Sequence, residues 1–377
     1  MSSAPTPPTT APDVIRVGTR GSALATTQTG LVARRLEELT GRTVEIVRVR
    51  TDGDVLTGSL AQMGGTGVFV TALREALLDG RCDVAVHSLK DLPTAPAPGL
   101  TVVTPEREDP RDALCARDGL TVATLPRGAR VGTGSPRRAA QLRSVRPDLD
   151  VVDIRGNVDT RLRRVHGEEA DLDAVVLAFA GLSRLGRLDA VTEVVETAVM
   201  APAAGQGALA VEVRTSELED PVVAAALHAL DHEPTRLAVL AERSLLARLE
   251  AGCAAPVGAH ALVEGGEVVL TAVVARVDGA EQLTHTARAA LPATGGDVHG
   301  ARDDVATGLG TRVADALLAD GAARLAPLGP PAAAEDVAAA ALPDAGSRRG
   351  TPTDASDPAV RTAREQLRDG GYRGERA

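Results

Sequence analysis

Residues 15–49 read IRVGTRGSALATTQTGLVARRLEELTGRTVEIVRV, and this stretch decides the fold class. Residues 15–18 and 43–49 are rich in β-branched side chains, which favours strands. Between them, residues 22–39 carry their apolar side chains on one helical stripe. A strand, a helix and a second strand in this order predict a βαβ unit with two parallel strands.

The same alternation continues along the chain. Helices are predicted at 68–78, 137–145, 158–165, 221–229 and 235–249, and strands at 83–87, 130–132, 151–154, 174–178 and 208–213. Continuous apolar strands such as 174–178 are typical of parallel sheets covered by helices on both faces. Beyond residue 253 the pattern becomes a strand meander at 257–263, 267–276 and 282–289, closed by a helix at 303–318. The sequence therefore predicts α/β architecture followed by a smaller α+β domain.

Length and composition exclude several classes of protein. The 377 residues suit two or three domains of about 100 to 150 residues each. The 41 basic and 51 acidic residues give a net charge of −10, so the chain as a whole repels nucleic acid and anionic membranes. Its aromatic residues are only Phe69, Phe179 and Tyr372, too few for the stacking surfaces of single-strand binders. Any binding of anions must be local.

Cysteine usage and the termini indicate a reduced, cytoplasmic protein. Cys82, Cys115 and Cys253 cannot all pair and form no CxxC motif. Residues 1–12 have neither a basic start nor an apolar run, and no stretch of about 18 apolar residues occurs elsewhere, so neither secretion nor a membrane span is expected. The composition of residues 1–12 and 327–377 predicts disorder or a terminal extension.

Three strand-to-helix junctions combine glycine, hydroxyl or amide side chains, and arginine: residues 19–22, 133–138 and 155–161. In the second, Ser135 is a predicted N-cap and Pro136 the first helical residue, which puts Arg137 and Arg138 in the first turn. Cations there oppose the helix dipole, so an anionic ligand would explain them. One junction could equally carry ordinary surface arginines, but three favour a ligand with several negative groups. The chain has no Walker or dinucleotide-binding glycine motif, so nucleotide binding is unsupported.

Residues 87–93, HSLKDLP, follow a predicted buried strand and hold Lys90, the single lysine of the chain, beside Asp91. An ionised carboxylate at the edge of a crevice can stabilise a cationic intermediate or transfer a proton. A surface ion pair between the two side chains is the alternative.

Cys253 lies among small residues between a predicted helix and a strand. Such a thiol is accessible, and Cys253 is a candidate nucleophile or covalent attachment point. Cys82 and Cys115 lie in apolar strands and are expected to be buried and inert. His228 and His232 have a spacing compatible with zinc but no clear third ligand, so no metal is expected.

Seven ordered motifs between about residues 15 and 325 together resemble the porphobilinogen deaminase family, also called hydroxymethylbilane synthase. They are GGTGVF at 64–69, VHSLKD at 86–91, REDPRD at 107–112, RGNV at 155–158, GLSRLG at 181–186, AGQGA at 204–208 and LEAGCAAPVG at 249–258.

The resemblance implies two α/β domains like those of periplasmic binding proteins around a cleft, plus a smaller α+β C-terminal domain. On this basis we expect domain 1 at 13–108 with 208–228, domain 2 at 109–207, and the cofactor-bearing domain at 229–326.

The resemblance also implies the chemistry: a transferase of porphyrin and heme biosynthesis that condenses four porphobilinogen molecules, with release of ammonia, into hydroxymethylbilane. Its implied cofactor is dipyrromethane, joined to Cys253 by a thioether. Asp91 is the implied catalytic residue. The implied cofactor-binding residues are Cys253, Lys90, Asp91, Thr133, Ser135, Arg137, Arg138, Arg155 and Gly156. The implied substrate-binding residues are Arg20, Ser22, Arg155, Arg161, Arg184 and Gln206.

The sequence departs from the family in two places. The loop before Phe69, which often carries lysines in this family, has Gln62 and Thr66 instead, and Pro136 replaces a leucine. Two other functions stay open: a non-catalytic binding protein for a small polycarboxylate, and an unrelated transferase with a phosphorylated substrate. We expect a monomer that binds neither nucleic acid nor membrane.

Overall fold

The computed structural model describes residues 14–49, 67–168, 170–252, 254–293 and 299–329. Its strands are β1 (Val14–Thr19), β2 (Thr43–Arg48), β3 (Val84–Ser88), β4 (Leu100–Val103), β5 (Asp112–Ala116), β6 (Arg130–Gly132), β7 (Asp150–Val152), β8 (Ala174–Ala178), β9 (Glu193–Val195), β10 (Leu209–Arg214), β11 (Val257–Glu264), β12 (Glu267–Ala275) and β13 (Gln282–Ala290). Its α-helices are α1 (Ala23–Thr40), α2 (Gly67–Leu78), α3 (Pro136–Val145), α4 (Val158–His166), α5 (Phe179–Arg184), α6 (Pro221–Leu230), α7 (Glu233–Arg248), α8 (His299–Ala319) and α9 (Ala322–Leu325).

The chain divides into two units. Unit 1 combines the residues up to 107 with 208–236, and unit 2 combines 108–207 with the residues from 237 onward. The α/β class and the smaller C-terminal sheet are confirmed.

Unit 1 is built on the βαβ element of the opening sequence. Its sheet has the order β2-β1-β3-β10-β4, in which β1 runs parallel to both β2 and β3. Helix α1 begins after Ser22, whose side chain caps it, and ends at Gly41, where a φ of +67° favours glycine. Val17 of β1 and Leu36 of α1 lie in the same buried cluster, so the apolar stripe of α1 packs on the sheet.

The apolar strands favour parallel sheets, and the two five-stranded sheets are parallel only in part. Strand β10 enters unit 1 antiparallel to both β3 and β4. In unit 2 the order is β7-β6-β8-β5-β9, and β5 is likewise antiparallel to both of its neighbours. Each sheet is therefore mixed, with one reversed strand in the fourth position. Apolar runs report burial on both faces but carry no information about strand direction.

Both faces of the first sheet in unit 2 are covered. Leu114 of β5 belongs to the buried cluster on one face, and its neighbours Ala113 and Cys115 belong to the cluster on the other. The strands β4 and β9, which our sequence reading omitted, have only four and three residues. Such short strands leave almost no periodicity in the sequence.

The remainder of unit 2 is an antiparallel sheet, β11-β12-β13. Leu245 of α7, Leu270 of β12 and Leu317 of α8 are fully buried in one cluster, so helices cover this sheet on one side. The three strands and the closing helix agree with the meander predicted from the sequence. In the part of the chain that the structure describes, no helix has both the length and the apolar character needed to cross a membrane.

Candidate active site

Two of the predicted motifs meet at one edge of the sheet of unit 1. Because β1 and β3 are parallel neighbours, their carboxyl ends lie at the same edge. Arg20 and Ser22 follow β1, and Lys90 and Asp91 follow β3. Open α/β sheets bind ligands at this edge.

A single 3₁₀ turn, Leu89–Asp91, presents the lysine and the aspartate. Leu89 and Leu92 are buried, and the Leu89 amide donates to the Ala208 carbonyl oxygen at 3.0 Å. Lys90 and Asp91 remain partly exposed. Within the described residues, Lys90 and Asp91 form no ion pair with each other. No described residue donates a hydrogen bond to the Asp91 carboxylate. This carboxylate therefore lies at the sheet edge without the surface ion pair considered from the sequence.

In unit 2 the junction between β6 and α3 has the predicted local structure. Thr133 Oγ1 accepts from the Ser135 amide at 3.2 Å, and the Ser135 side chain caps α3 by accepting from the Arg138 amide at 3.5 Å. Pro136 is the first helical residue, as predicted. Arg137 and Arg138 thus lie in the first turn, where cations oppose the helix dipole.

The anion that accompanies these two arginines belongs to the protein. Asp112, at the start of β5, is completely buried, and its two carboxylate oxygens accept from Arg137 Nη2 at 2.8 Å and Arg138 Nη2 at 2.7 Å. Burial alone would raise the pKa of Asp112, but the adjacent guanidinium groups hold it far below its usual range. One of the two positive charges in the first turn is therefore neutralised by a side chain of the protein, which the sequence did not reveal, and the other is not.

Gln206 belongs to the same buried network. It is 1% exposed, and its Nε2 donates to Asp112 Oδ1 at 2.8 Å and to the Pro110 carbonyl oxygen at 2.7 Å. Gln206 therefore contacts Asp112, the counter-ion of Arg137 and Arg138. Its predicted contact with substrate stays a prediction.

Three guanidinium groups concentrate positive charge near the β6–α3 junction. Arg161 Nε donates to the Gly156 carbonyl oxygen at 2.8 Å. Burial lowers the pKa of Arg161, and the positive charges of Arg138 and Arg155 lower it further. Arg155 is 44% exposed at its side chain and forms an ion pair with Asp153 at 3.0 Å. Positive charge that is partly desolvated and not fully compensated favours bound anions.

Gly134 allows this cluster to form. A Cβ atom at Gly134 would lie 2.6 Å from the Ile154 carbonyl oxygen and 3.4 Å from Arg155 Nη1. The backbone at Gly134 therefore lies so close to the backbone of Ile154, which follows β7, that only glycine fits there.

We expect Gly134→Ala to impair anion binding at this cluster. The methyl group must displace the Ile154 backbone, and misplacement of a binding group by about 1 Å can cost roughly a hundredfold in rate. The measurement is steady-state turnover and the content of the cofactor, both in the reaction that the sequence resemblance implies. Gly128→Asn, at a left-handed turn position with open space around its Cβ, is the control. Normal values for Gly134→Ala would contradict the importance of this close approach.

Arg184, at the end of α5, is a half-buried cation of unit 2. Its Nη2 donates to the Gly207 carbonyl oxygen at 2.6 Å. Burial lowers the pKa of Arg184, although the negative charge of Glu108 opposes this effect. The contact ties the side chain to the 204–208 motif.

Some of the predicted features lie outside the described residues: Cys253, Gln62, Thr66, residues 1–12 and the tail from residue 330. Gly252 and Ala254, on either side of Cys253, are exposed. Cys82 and Cys115 are free and completely buried, as expected, and burial raises the pKa of Cys115 to about 12.

The structure also adds residues that our sequence analysis left without a role. Asp112 is one, and Glu242 of α7 is another. Glu242 is completely buried and accepts from the Gly205 amide at 2.6 Å and the Ala261 amide at 2.8 Å. The available signal was weak: Asp112 directly precedes the apolar run 113–116, and Glu242 lies among the apolar residues of α7. No group of three acidic, histidine or cysteine side chains within the described ranges is arranged to hold a metal ion. His232 Nδ1 instead lies 2.8 Å from Thr235 Oγ1.

Comparisons with known proteins identify two matching family models. Residues 15–220 match the model described as "Porphobilinogen deaminase, dipyromethane cofactor binding domain", and residues 236–319 match "Porphobilinogen deaminase, C-terminal domain". The chain is 59% identical over 316 residues to the porphobilinogen deaminase of Leifsonia xyli subsp. xyli, which covers 83% of this chain and 94% of that protein. It is 52% identical to that of Micrococcus luteus, covering 82% of this chain and 93% of that protein. Among solved structures, the methionine binding protein MetQ is similar with a TM-score of 0.38 and 14% identity, covering 58% of this chain and 91% of that one.

Proposed function

The chain belongs to the porphobilinogen deaminase family, and from this premise we propose how its residues share the reaction. The enzyme is a transferase of tetrapyrrole biosynthesis. It condenses four porphobilinogen molecules into hydroxymethylbilane with loss of ammonia, and it uses a dipyrromethane cofactor. The match over residues 15–220 carries this conclusion.

Dipyrromethane carries acetate and propionate groups, and the donors around the β6–α3 junction fit such a ligand. Arg137 is 4% exposed, and its Nε has no hydrogen-bond partner among the described residues. Arg155 and Arg161 add positive charge near the neighbouring Arg138. We propose that Cys253 forms the thioether bond and that the following residues hold the cofactor: Lys90, Asp91, Thr133, Ser135, Arg137, Arg138, Arg155 and Gly156. When bound, dipyrromethane supplies the free pyrrole α-carbon to which substrate units are added.

Asp91 is proposed as the catalytic residue. Porphobilinogen that has lost ammonia is a cationic azafulvenium, which a nearby carboxylate stabilises electrostatically. The same carboxylate can accept the proton that leaves a pyrrole α-carbon after the new bond forms. The partly exposed Asp91 carboxylate, which receives no hydrogen bond from a described residue, supports both roles.

Each porphobilinogen brings two carboxylates, and we propose that these bind to a set of cationic and polar residues. The set is Arg20, Ser22, Arg155, Arg161, Arg184 and Gln206. The partial burial of Arg161 and Arg184 supports the proposal, because desolvated guanidinium groups bind carboxylates strongly.

The reaction has a stoichiometry that tests the function directly. Incubation with porphobilinogen should release four ammonia molecules for each hydroxymethylbilane formed. A non-catalytic polycarboxylate-binding protein would bind porphobilinogen and release none. Ammonia and product are measured together in the same reaction.

Replacing Arg161 with Leu should lower turnover about 10- to 100-fold, because a hydrogen bond to a charged group contributes about 1.5 to 3 kcal/mol. Arg163→Leu is the matched control: it lies on the same helix and is exposed, and its one side-chain hydrogen bond to a described residue is to Thr160 Oγ1 at 3.3 Å. Steady-state kinetics on both variants gives the comparison. Equal turnover by the two would remove Arg161 from the binding residues.

A monomeric state and a cytoplasmic location complete the proposal, with the domain limits 13–108 plus 208–228, 109–207 and 229–326. Buried, free Cys82 and Cys115 are compatible with a reducing compartment. Sedimentation equilibrium tests the monomer, and limited proteolysis tests the domain limits.

A further inference from the structure

The buried network around Asp112 contains more positive than negative charge, and the fold alone does not explain this excess. One fully buried carboxylate faces two buried guanidinium groups, and the third partner, Gln206, is neutral. The network therefore holds one excess positive charge. Burying uncompensated charge is costly unless a partner offsets it. The imbalance has the sign that a polycarboxylate ligand compensates.

Asp112 also sets the orientation of Arg138. Arg138 Nε and Nη2 both donate to Asp112 Oδ1, at 2.9 and 2.7 Å, in a forked contact that fixes the plane of the guanidinium group. Two further contacts hold the same plane: Nη1 donates to the Val176 carbonyl oxygen at 3.1 Å, and Nη2 to Gln206 Oε1 at 3.3 Å. Arg138 in turn lowers the pKa of Arg161, so the oriented group lies close to the cationic cluster.

The chain brings these residues together from three separate elements. Asp112 opens the reversed strand β5 opposite Ala178, Arg138 lies in the first turn of α3, and Gln206 precedes β10. Gln206 is itself anchored by its bond to the Pro110 carbonyl oxygen. The carboxylate is therefore held in place from both sides.

We propose that Asp112 is a positioning residue for the cofactor: through its forked contact it holds Arg138 in the orientation in which that arginine serves dipyrromethane, and Gln206 holds Asp112. The inference rests on the role proposed above for Arg138. Asp112 itself does not contact dipyrromethane in this proposal.

The test begins with Asp112→Asn, which keeps the shape of the side chain and removes its charge. The ratio of cofactor-loaded to cofactor-free protein, read from intact mass after incubation with porphobilinogen, should fall about tenfold or more, because a charge-assisted contact is lost. Asp173→Asn is the control. Asp173 also forms an ion pair with an arginine, Arg117, and it accepts from the Arg130 amide at 2.6 Å at the opposite end of the same sheet. This control should retain a normal ratio.

A double-mutant cycle separates positioning from general destabilisation. If Asp112 acts through Arg138, adding Asp112→Asn to Arg138→Gln should change the ratio by less than twofold beyond Arg138→Gln alone, because the effects of coupled residues do not add. Multiplying effects would mean that Asp112 acts independently of Arg138, through Arg137 or through the stability of the fold, and would overturn the inference. So would a normal ratio in Asp112→Asn when Arg138→Gln is impaired. A normal ratio in Arg138→Gln would instead refute the proposed role of Arg138, and the inference with it.

Gln206→Leu keeps the test decisive if Asp112→Asn does not fold. It leaves the carboxylate and both arginines in place and removes the side-chain amide that contacts Asp112, Arg138 and the Pro110 carbonyl oxygen. The loaded-to-free ratio should fall about tenfold or more, because the lost contacts include a hydrogen bond to a charged carboxylate. An unchanged ratio in a folded Gln206→Leu variant would contradict the network.

Discussion

Asp91→Asn should lower kcat by a few hundredfold while substrate capture changes little. The amide keeps the shape of the side chain and loses its charge, so the cationic azafulvenium is destabilised much more than bound porphobilinogen. One charge interaction in a partly desolvated site contributes about 3 to 4 kcal/mol to stabilising the transition state, which corresponds to a decrease in kcat of a few hundredfold. The measurement is single-turnover and steady-state kinetics, after intact mass has shown that the variant carries dipyrromethane.

Asp91→Glu provides the comparison, since it keeps the charge and displaces it by one methylene. It should retain more activity than Asp91→Asn. A cofactor-loaded Asn variant that runs within about threefold of wild type would leave Asp91 without a catalytic role. The reaction would then require another carboxylate.

Cys253→Ala should abolish the covalent cofactor and reduce hydroxymethylbilane synthesis to background. Without the thioether no primer is retained through the successive additions, so the whole covalent contribution to catalysis is lost. Intact mass should equal the sequence mass, whereas wild type should exceed it by two linked pyrrole units. With one tyrosine and no tryptophan in the chain, the pyrroles should also be visible in the absorbance spectrum of wild type alone.

Cys115→Ala is the control for this variant. Its thiol is buried, and its raised pKa, about 12, keeps it protonated and unreactive at neutral pH. It should carry a full complement of cofactor. A peptide map that places the added mass on Cys82 or Cys115 would contradict the assignment of Cys253.

The local parts of the candidate site follow from the sequence because their causes are local. Ser135 caps α3 and Pro136 starts it, since each meets the requirements of a helix N-terminus within four residues. The strand-to-helix junctions at β1, β6 and β7 are predicted for the same reason. Short-range patterns suffice wherever the partner is nearby in the chain.

The counter-ion of the arginines could not be predicted in this way. Asp112 and Arg138 are 26 residues apart, and Asp112 and Gln206 are 94 apart. They meet only because β5 runs antiparallel beside β8, and strand direction leaves no mark on an apolar run. The sequence therefore indicates that anions matter at α3 but cannot show that one of them is a side chain of the protein.

The insertion of β10 between β3 and β4 has a consequence for how the protein is made. Among the described strands, β4 pairs with β10 alone. This sheet, the first to be synthesised, therefore stays incomplete until residues 209–214 have left the ribosome. The five strands of the other mixed sheet are complete by residue 195. At translation rates of roughly 5 to 20 residues per second, β3 and β4 wait about 5 to 20 s for their shared neighbour. During that interval we expect the nascent chain to expose an open strand edge, a surface of the kind that chaperones protect from aggregation.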